Sequence, residues 1–347
     1  MLSLFTRSSL LIAAAALASS CGDSHSVGET MASAEVTRSI ALSGSHGCAV
    51  REAGLYCWGQ GFAGQLGNER TEDSDAPVHA TAAGDDIVEV AASTGRTCVR
   101  RSTGEVACWG VNDHGQIGDG TRDDALVAAT AIDIDDAVQL AIDDATTCVL
   151  RAGGAVACWG GSPEGSPEDG SVVPEPIAGL SGIVELRGSV LDTYCARDGD
   201  GAVYCFELDD GEWSEPAKVS GLSRARSIAV TGYNVMCAIT EARGVACYNL
   251  ESGVSTPLEQ SEDSVALVGT SLVACAQRRS GQWTCWNILP PMLETVGSPA
   301  IRVPEEELVE VAIGGFRVCA VRQDASVVCA TAELGAPQLM TLAGLPP

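Results

Sequence analysis

The residues of this 347-residue chain best equipped for chemistry are its fifteen cysteines. Fourteen of them fall into pairs: Cys48/Cys57, Cys98/Cys108, Cys148/Cys158, Cys195/Cys205, Cys237/Cys247, Cys275/Cys285 and Cys319/Cys329. Six pairs are ten residues apart and the first is nine apart. Thiols at a fixed spacing are suited to cross-linking, metal ligation or thiol exchange. A zinc knuckle sets its ligands about two to four residues apart, and these pairs lack that compactness. An even set in an exported chain reads as structural disulfides, so neither a metal nor a cofactor is expected. Each bridge closes a small ring, worth about 2–3 kcal/mol in the chain-entropy picture.

The remaining cysteine, Cys21, belongs to a different segment. One basic residue (Arg7), an apolar run from Leu10 to Ala18 and the small pair Ser19-Ser20 precede it. That order is the pattern of a secretory signal and is too short for a membrane span. Leu17-Ala18-Ser19-Ser20-Cys21 resembles a bacterial lipobox, with Ala18 where leucine is usual. The chemistry implied is thioether lipidation at Cys21, cleavage before it and acylation of the new amino terminus, and several acyl chains give stable anchoring. The expected division is a signal at 1–20, a lipidated flexible tether at 21–35, and a folded domain at 36–347. The expected location is the bacterial cell envelope, outside the cytoplasm.

Other chemical candidates are weaker. Four histidines (His25, His46, His79 and His114) are scattered, and His46 and His114 stand at repeat positions suited to packing or turns. The lone lysine, Lys218, is not in a phosphate-binding loop, and no Gly-x-Ser-x-Gly elbow occurs. Acidic groups cluster at Asp85-Asp86, Asp133/Asp135/Asp136, Asp143-Asp144, Asp198/Asp200, Asp209-Asp210 and Glu305 to Glu307, without the order of an EF-hand loop. They read as solvated turns, although paired carboxylates also suit glycoside hydrolysis if they converge. With 46 acidic against 20 basic residues the formal charge is −26, a surface that repels phosphate, so nucleic acid is not expected as a partner.

The elements that must carry the cysteines recur. In the second unit Ile87 to Ala92 is a short strand, Thr97-Cys98-Val99-Arg100 a second, and Val106-Ala107-Cys108-Trp109-Gly110 a third beyond a turn at Ser102-Thr103-Gly104. Two strands about a Gly-bearing turn make a hairpin, and the symmetric register sets Cys98 opposite Cys108. An aromatic follows the second cysteine in six units (Trp58, Trp109, Trp159, Phe206, Tyr248 and Trp286), with Ala330 the exception. Side chains alternate along a strand, so rings and sulfurs take opposite faces. Small residues seven before the first cysteine (Ala41, Ala91, Ala141, Val268 and Ala312) suit a crowded innermost strand. A fourth segment follows, opened by Pro77, Pro176, Pro216, Pro257, Pro299 or Pro337, and without proline in the second unit. Units begin roughly 40–50 residues apart, the period of a propeller blade. Seven such units make an all-β, seven-bladed β-propeller with one hairpin disulfide per blade.

Cys57-Trp58-Gly59 with Gly64-Gln65-Leu66-Gly67-Asn68, and Cys108-Trp109-Gly110 with Asn112, Gly115-Gln116-Ile117-Gly118 and Gly120, resemble repeats of the RCC1 (regulator of chromosome condensation) family. His46 matches a position where that family often has histidine. The match is partial in unit three and degenerate in the last four. The resemblance implies a seven-bladed propeller, here of an exported bacterial lipoprotein type. Guanine-nucleotide exchange, the family's name-giving activity, is not expected of an exported acidic chain.

Loops after the second cysteine are long in units one to three (59–76, 110–125 and 160–175) and shorter at 207–215, 249–256 and 287–298. Long loops from adjacent blades on a rigid scaffold are a place for binding. The expected function is therefore a non-catalytic, monomeric protein-interaction module with an unidentified protein partner and a membrane anchor at Cys21. The candidate contact residues are Phe62, Gln65, His114, Gln116 and Trp213. The alternative is an envelope hydrolase or lyase acting on polysaccharide or peptidoglycan with carboxylates at the propeller funnel.

Overall fold

The computed structural model describes residues 40–162, 166, 169–189, 193–209, 211–222, 224–232, 234–242, 244–270, 273–288, 301–302, 308–314, 317–331 and 340–345. Cys21, the segments at 1–20 and 21–35, His25, Asp210, Pro299, Pro337 and the acids at 305–307 lie outside them. Blade 1 is a sheet of β1 (Ile40–Leu42), β2 (His46–Arg51), β3 (Gly54–Gly59) and β4 (Ser74–His79), paired in that order. Blade 2 repeats it with β5 (Ile87–Ser93), β6 (Arg96–Arg101), β7 (Val106–Gly110) and β8 (Ala125–Thr130). Blades 3 to 7 start at Ala137, Ile183, Ser227, Ser264 and Leu308, each an antiparallel sheet of consecutive strands. The first strand of every blade packs beside the first strands of its neighbours, so first strands are innermost and fourth strands outermost. The structure is a seven-bladed β-propeller.

Register explains the cysteine spacing. Each first cysteine stands directly opposite its second across the two central strands of its blade. The bridges are Cys48–Cys57, Cys98–Cys108, Cys148–Cys158, Cys195–Cys205, Cys237–Cys247, Cys275–Cys285 and Cys319–Cys329, one in each blade from the first to the seventh. Their Cα atoms are 3.9 to 4.1 Å apart, the close separation of an antiparallel site without mutual main-chain bonds. The small residues expected innermost do lie there: Ala91 faces Cys98 and Ala141 faces Cys148.

Seven apolar clusters fill the seams between blades. Cys48 and Cys57 of blade 1 meet Trp109 of blade 2, and Cys98 and Cys108 meet Trp159 of blade 3. Cys148 and Cys158 meet Tyr194 and Phe206 of blade 4, and Cys195 and Cys205 meet Tyr248 of blade 5. Cys237 and Cys247 meet Trp286 in the same way. Alternation along the strand thus gives each blade a sulfur face and an aromatic face, stacked head to tail. Blade 7 departs from this, as Ala330 in its sequence foretells: Cys275 and Cys285 meet Val318 and Val328 there instead of a ring. The last seam joins Ile40, Leu42 and Trp58 of blade 1 to Ala312, Cys319 and Val321 of blade 7, with Cys329 half-buried against it. Among the described residues no sheet mixes strands from the two ends of the chain, so this seam closes by side-chain packing.

The glycine of the Cys-Trp-Gly motif has a steric cause. Gly59 and Gly110 have φ of +107°, at a register shift in each third strand. A β-carbon at Gly110 would lie 2.1 Å from the Gly95 carbonyl oxygen. One expectation changes in blade 4. Residues 207–215 are not a simple loop: Glu212–Trp213 folds back and pairs with Leu208 and Asp209.

Candidate functional site

Antiparallel connectivity sends the turns between first and second strands, and the loops between third and fourth, to one face of the ring. That loop face carries residues 60–73, 111–124, 161–162 and 169–170. The first two are braced alike. Asp73 accepts the Gly61 N–H at 2.9 Å, and Asp124 accepts the Asn112 N–H at 2.9 Å. Main-chain bonds from Gly64 to Gly61 and from Gly67 to Gly64, with counterparts at Gly115 and Gly118, coil each loop tightly.

Gln65 and Gln116 lie at the ends of these coils, and both are buried. Each side-chain oxygen is turned into its own loop, accepting from the N–H of Ala63 or His114. Each main-chain carbonyl crosses the seam. Gln65 O accepts from Trp109 Nε1 at 3.0 Å and Thr97 Oγ1 at 2.8 Å. Gln116 O accepts from Trp159 Nε1 at 3.0 Å, Thr147 Oγ1 at 2.7 Å and Arg96 Nη1 at 2.7 Å. These residues therefore brace blades against one another, with both side chains buried.

A buried polar line continues from these bonds. Thr97 has one hydroxyl proton, and it goes to the Gln65 carbonyl. His46 Nε2, 2.8 Å from Thr97 Oγ1, must then be the donor, leaving Nδ1 to accept from Ser43 Oγ at 3.0 Å. Burial pushes the His46 pKa down to about 3, so the ring is neutral. One blade on, Arg96 stands where His46 did. It donates to the Asp143 and Thr146 carbonyls at 2.8 and 2.9 Å and to Thr147 Oγ1. Burial lowers its pKa to about 10, opposed chiefly by Asp143, and it stays charged at neutral pH. Asp143 in turn accepts from the Tyr194 hydroxyl at 2.7 Å. The line runs from blade 1 to blade 4, and the residue directly before the first cysteine, Thr97, Thr147 and Tyr194 in blades 2 to 4, is apolar Met236, Ala274 and Val318 in blades 5 to 7. Sequence reasoning missed it, although a signal exists: it uses the two residues before each first cysteine.

His114 is also largely buried, with Nδ1 2.9 Å from Asp113 Oδ1. That pairing, together with a hydrogen bond from Gln116, draws Asp113 below the usual carboxylate range against the opposing effect of partial burial. Trp213 is tucked edge-on against Tyr194 and Phe206, with ring centroids 5.8 and 5.7 Å away. Phe62 alone of the five candidates has an open ring, 55% exposed. It spans the boundary between blades 1 and 2, because a β-carbon on Gly95 would come within 3.1 Å of Phe62 Cζ.

Two innermost-strand acids, Glu89 and Glu185, are committed to the scaffold. Glu89 pairs with Arg100 at 2.9 Å and accepts the Leu140 N–H of the next blade. Glu185 pairs with Arg187 and Arg197 at 3.0 and 2.8 Å and accepts from Ser227. The cysteines are committed as well. Every second cysteine, Cys158, Cys205, Cys285 and Cys329 included, is bridged to the first of its own blade, which places all fourteen in the scaffold and none at the loop face. Among the described residues no group of three or more His, Cys, Asp or Glu side chains is placed to hold a metal.

The sequence matches the Regulator of chromosome condensation (RCC1) repeat over residues 52–99 and again over 87–116, a stretch holding the first loop and the start of the second. Residues 52–116 of this chain carry RCC1-like repeats. It is 35% identical to the Ultraviolet-B receptor UVR8 of Arabidopsis thaliana over 105 residues, which are 28% of this chain and 24% of UVR8. It is likewise 35% identical to the human E3 ubiquitin-protein ligase HERC2 over 92 residues, only 2% of HERC2. The RCC1-like fold extends much further. The structure of yeast RCC1 (Prp20) bound to Kap60 matches 93% of this chain and 91% of that one, with a TM-score of 0.70 at 17% identity. The CRINKLY WD40 ectodomain of the Arabidopsis thaliana receptor kinase ACR4 matches 88% of this chain and 98% of that one, with a TM-score of 0.56 at 19% identity.

Proposed function

We propose that this protein is an exported propeller, anchored through lipid on Cys21 at the extracytoplasmic side of a bacterial envelope, that binds another protein without catalysing a reaction. The observation carrying this reading is Phe62, an exposed aromatic ring held on a tightly braced loop across a blade boundary. A rigid aromatic presented at low entropic cost is the usual anchor of a protein interface. Protein binding has precedent on the fold, since the yeast structures concern Prp20 with Kap60 and its binding to Gsp1p and histones. Seven bridged cysteine pairs suit an oxidising compartment. The competing hydrolase reading needs free carboxylates at the funnel, whereas Glu89 and Glu185 are held by arginines.

A photo-crosslinker placed at position 62 in intact cells tests the reading. A discrete protein adduct is expected, and the Phe62→Ser chain should no longer co-purify with that protein. Turnover of peptidoglycan or an envelope polysaccharide by the purified chain, with no adduct formed, overturns it. Cys21→Ser should move the protein from the membrane to the soluble fraction and abolish labelling by a clickable palmitate. Unchanged membrane association removes the anchor from the proposal.

A further inference from the structure

The outer edge of blade 2 is built differently from the edges around it. β8 is the last strand of its sheet. Opposite each second cysteine, the outer strand places Val78 in blade 1, Ala129 in blade 2, Glu175 in blade 3 and Ala217 in blade 4. The residue before that position is Pro77, Pro174 and Pro216 in blades 1, 3 and 4, and Ala128 in blade 2.

The ladder shows what the prolines remove. Cys98 and Cys108 form a close pair without mutual main-chain bonds, so the main chain of Cys108 is turned toward Ala129. Ala129 then faces inward, as Ala131 does when its N–H donates to the Val106 carbonyl at 2.9 Å. Alternation leaves Ala128 and Thr130 facing away from the sheet. Proline in the neighbouring blades deletes that outward donor, which is how edge strands are kept from pairing. Blade 2 keeps it on a strand reading Ala-Leu-Val-Ala-Ala-Thr, with Leu126 43% and Val127 52% exposed. Exposed carboxylates bracket the strand, Asp123 and Asp124 before it and Asp133 and Asp135 after it.

We propose that β8 is a docking edge that takes an extended segment of a partner protein as a fifth strand, with apolar residues against Leu126 and Val127 and basic residues at its two ends. This deepens the protein-binding reading, on which it rests only in requiring a protein partner, and places a contact on the rim instead of the loop face. Main-chain bonds supply affinity in such strand addition and alternate side chains supply selectivity. A second copy of this chain is disfavoured as occupant. Antiparallel self-pairing would set Asp123 and Asp124 of one copy against the Asp133 end of the other, like charges facing across a ladder.

The test uses the full chain in detergent and a fluorescent synthetic peptide, Arg-Thr-Val-Thr-Val-Thr-Arg. Saturable anisotropy is expected. Alternate N-methylation of the peptide, or Ala128→Pro in the protein, should each weaken binding by about tenfold or more, as losing one to two hydrogen bonds requires. Glutamate in place of the terminal arginines should also weaken it. Ala128→Pro should keep its fold, because three nearby blades hold proline at that register, and unchanged circular dichroism and disulfide content check this. Phe62→Ser should leave peptide affinity unchanged, so failure at the rim and failure at the loop face are read separately. Absence of saturable binding, retention of affinity by Ala128→Pro or by the methylated peptide, or a dimer in sedimentation that Ala128→Pro dissolves, each overturns the proposal.

Discussion

The indole N–H of Trp109 donates to the main-chain carbonyl of Gln65, 3.0 Å away in the preceding blade, and Thr97 donates to the same oxygen. Two donors on one buried acceptor give a redundancy that mutation can expose. Thr97→Val should cost about 1–3 kcal/mol in urea unfolding, because the carbonyl keeps the indole while the buried His46 Nε2–H loses its acceptor. Trp109→Phe should cost about 2 kcal/mol, from the lost bond and the void left by a smaller ring. The double variant strands the carbonyl, so its loss should exceed the sum of the two. Strict additivity would mean that the shared acceptor is not the link.

His46 predicts a pH dependence with a definite sign. Its folded pKa is depressed to about 3 by burial, against 6.5 as its ordinary value. Above pH 6.5 the ring is neutral whether the chain is folded or unfolded, and the stabilisation is complete. Between pH 6.5 and about 3 the unfolded chain takes up a proton that the folded chain refuses. Stability therefore falls as pH falls, by up to about 1.4 kcal/mol per unit from this group. His46→Gln keeps a neutral donor toward Thr97 and should show a shallower loss in urea midpoint from pH 7 to pH 4. Equal slopes in both proteins would exclude His46 as the cause.

The scaffold was legible because its signals are side chains at fixed offsets. Cys98 and Cys108 face each other because the hairpin register is symmetric, and Trp109 follows on the opposite face because strands alternate. Residue type left the role of Gln65 and Gln116 open between bracing and partner contact for a physical reason. Their work across the seam is done by carbonyl oxygens, and residue type does not reveal where a carbonyl points. Trp213 was ambiguous because a polar loop suits either exposure or burial, and the choice depended on Tyr194 and Phe206, distant in sequence. The edge at Ala128 could be noticed as a missing proline, but what that omission exposes required the ladder.

Gly110 should be among the least replaceable residues of blade 2. Its φ of +107° is disfavoured for any L side chain, and an added β-carbon would meet the Gly95 carbonyl at 2.1 Å. Strain of this kind costs of order 1–3 kcal/mol before any repacking. Gly110→Ala should therefore lower stability by at least that amount in denaturant unfolding. Gly153→Ala is the control, since its added carbon meets nothing within 4 Å. Comparable losses at both sites would remove the steric account of the Cys-Trp-Gly motif.

The seam between blades 7 and 1 differs from the other six in one respect that hydrogen exchange can read. Every other seam has a direct chain connection from one blade to the next, whereas this one is held by packing among Ile40, Leu42, Trp58, Ala312, Val321 and Val327. Ile40 and Leu140 are both buried aliphatic residues on innermost strands. Truncation to alanine should cost about 2–5 kcal/mol at either position. The consequences should diverge in where the ring opens. Ile40→Ala should raise exchange selectively in β1 and in Leu308–Gly314, because among the described residues no chain connection joins those two strands once packing weakens. Leu140→Ala should lower stability while leaving that seam as protected as in the wild type. If both variants loosen the same segments, closure is shared around the ring and the seam has no special role.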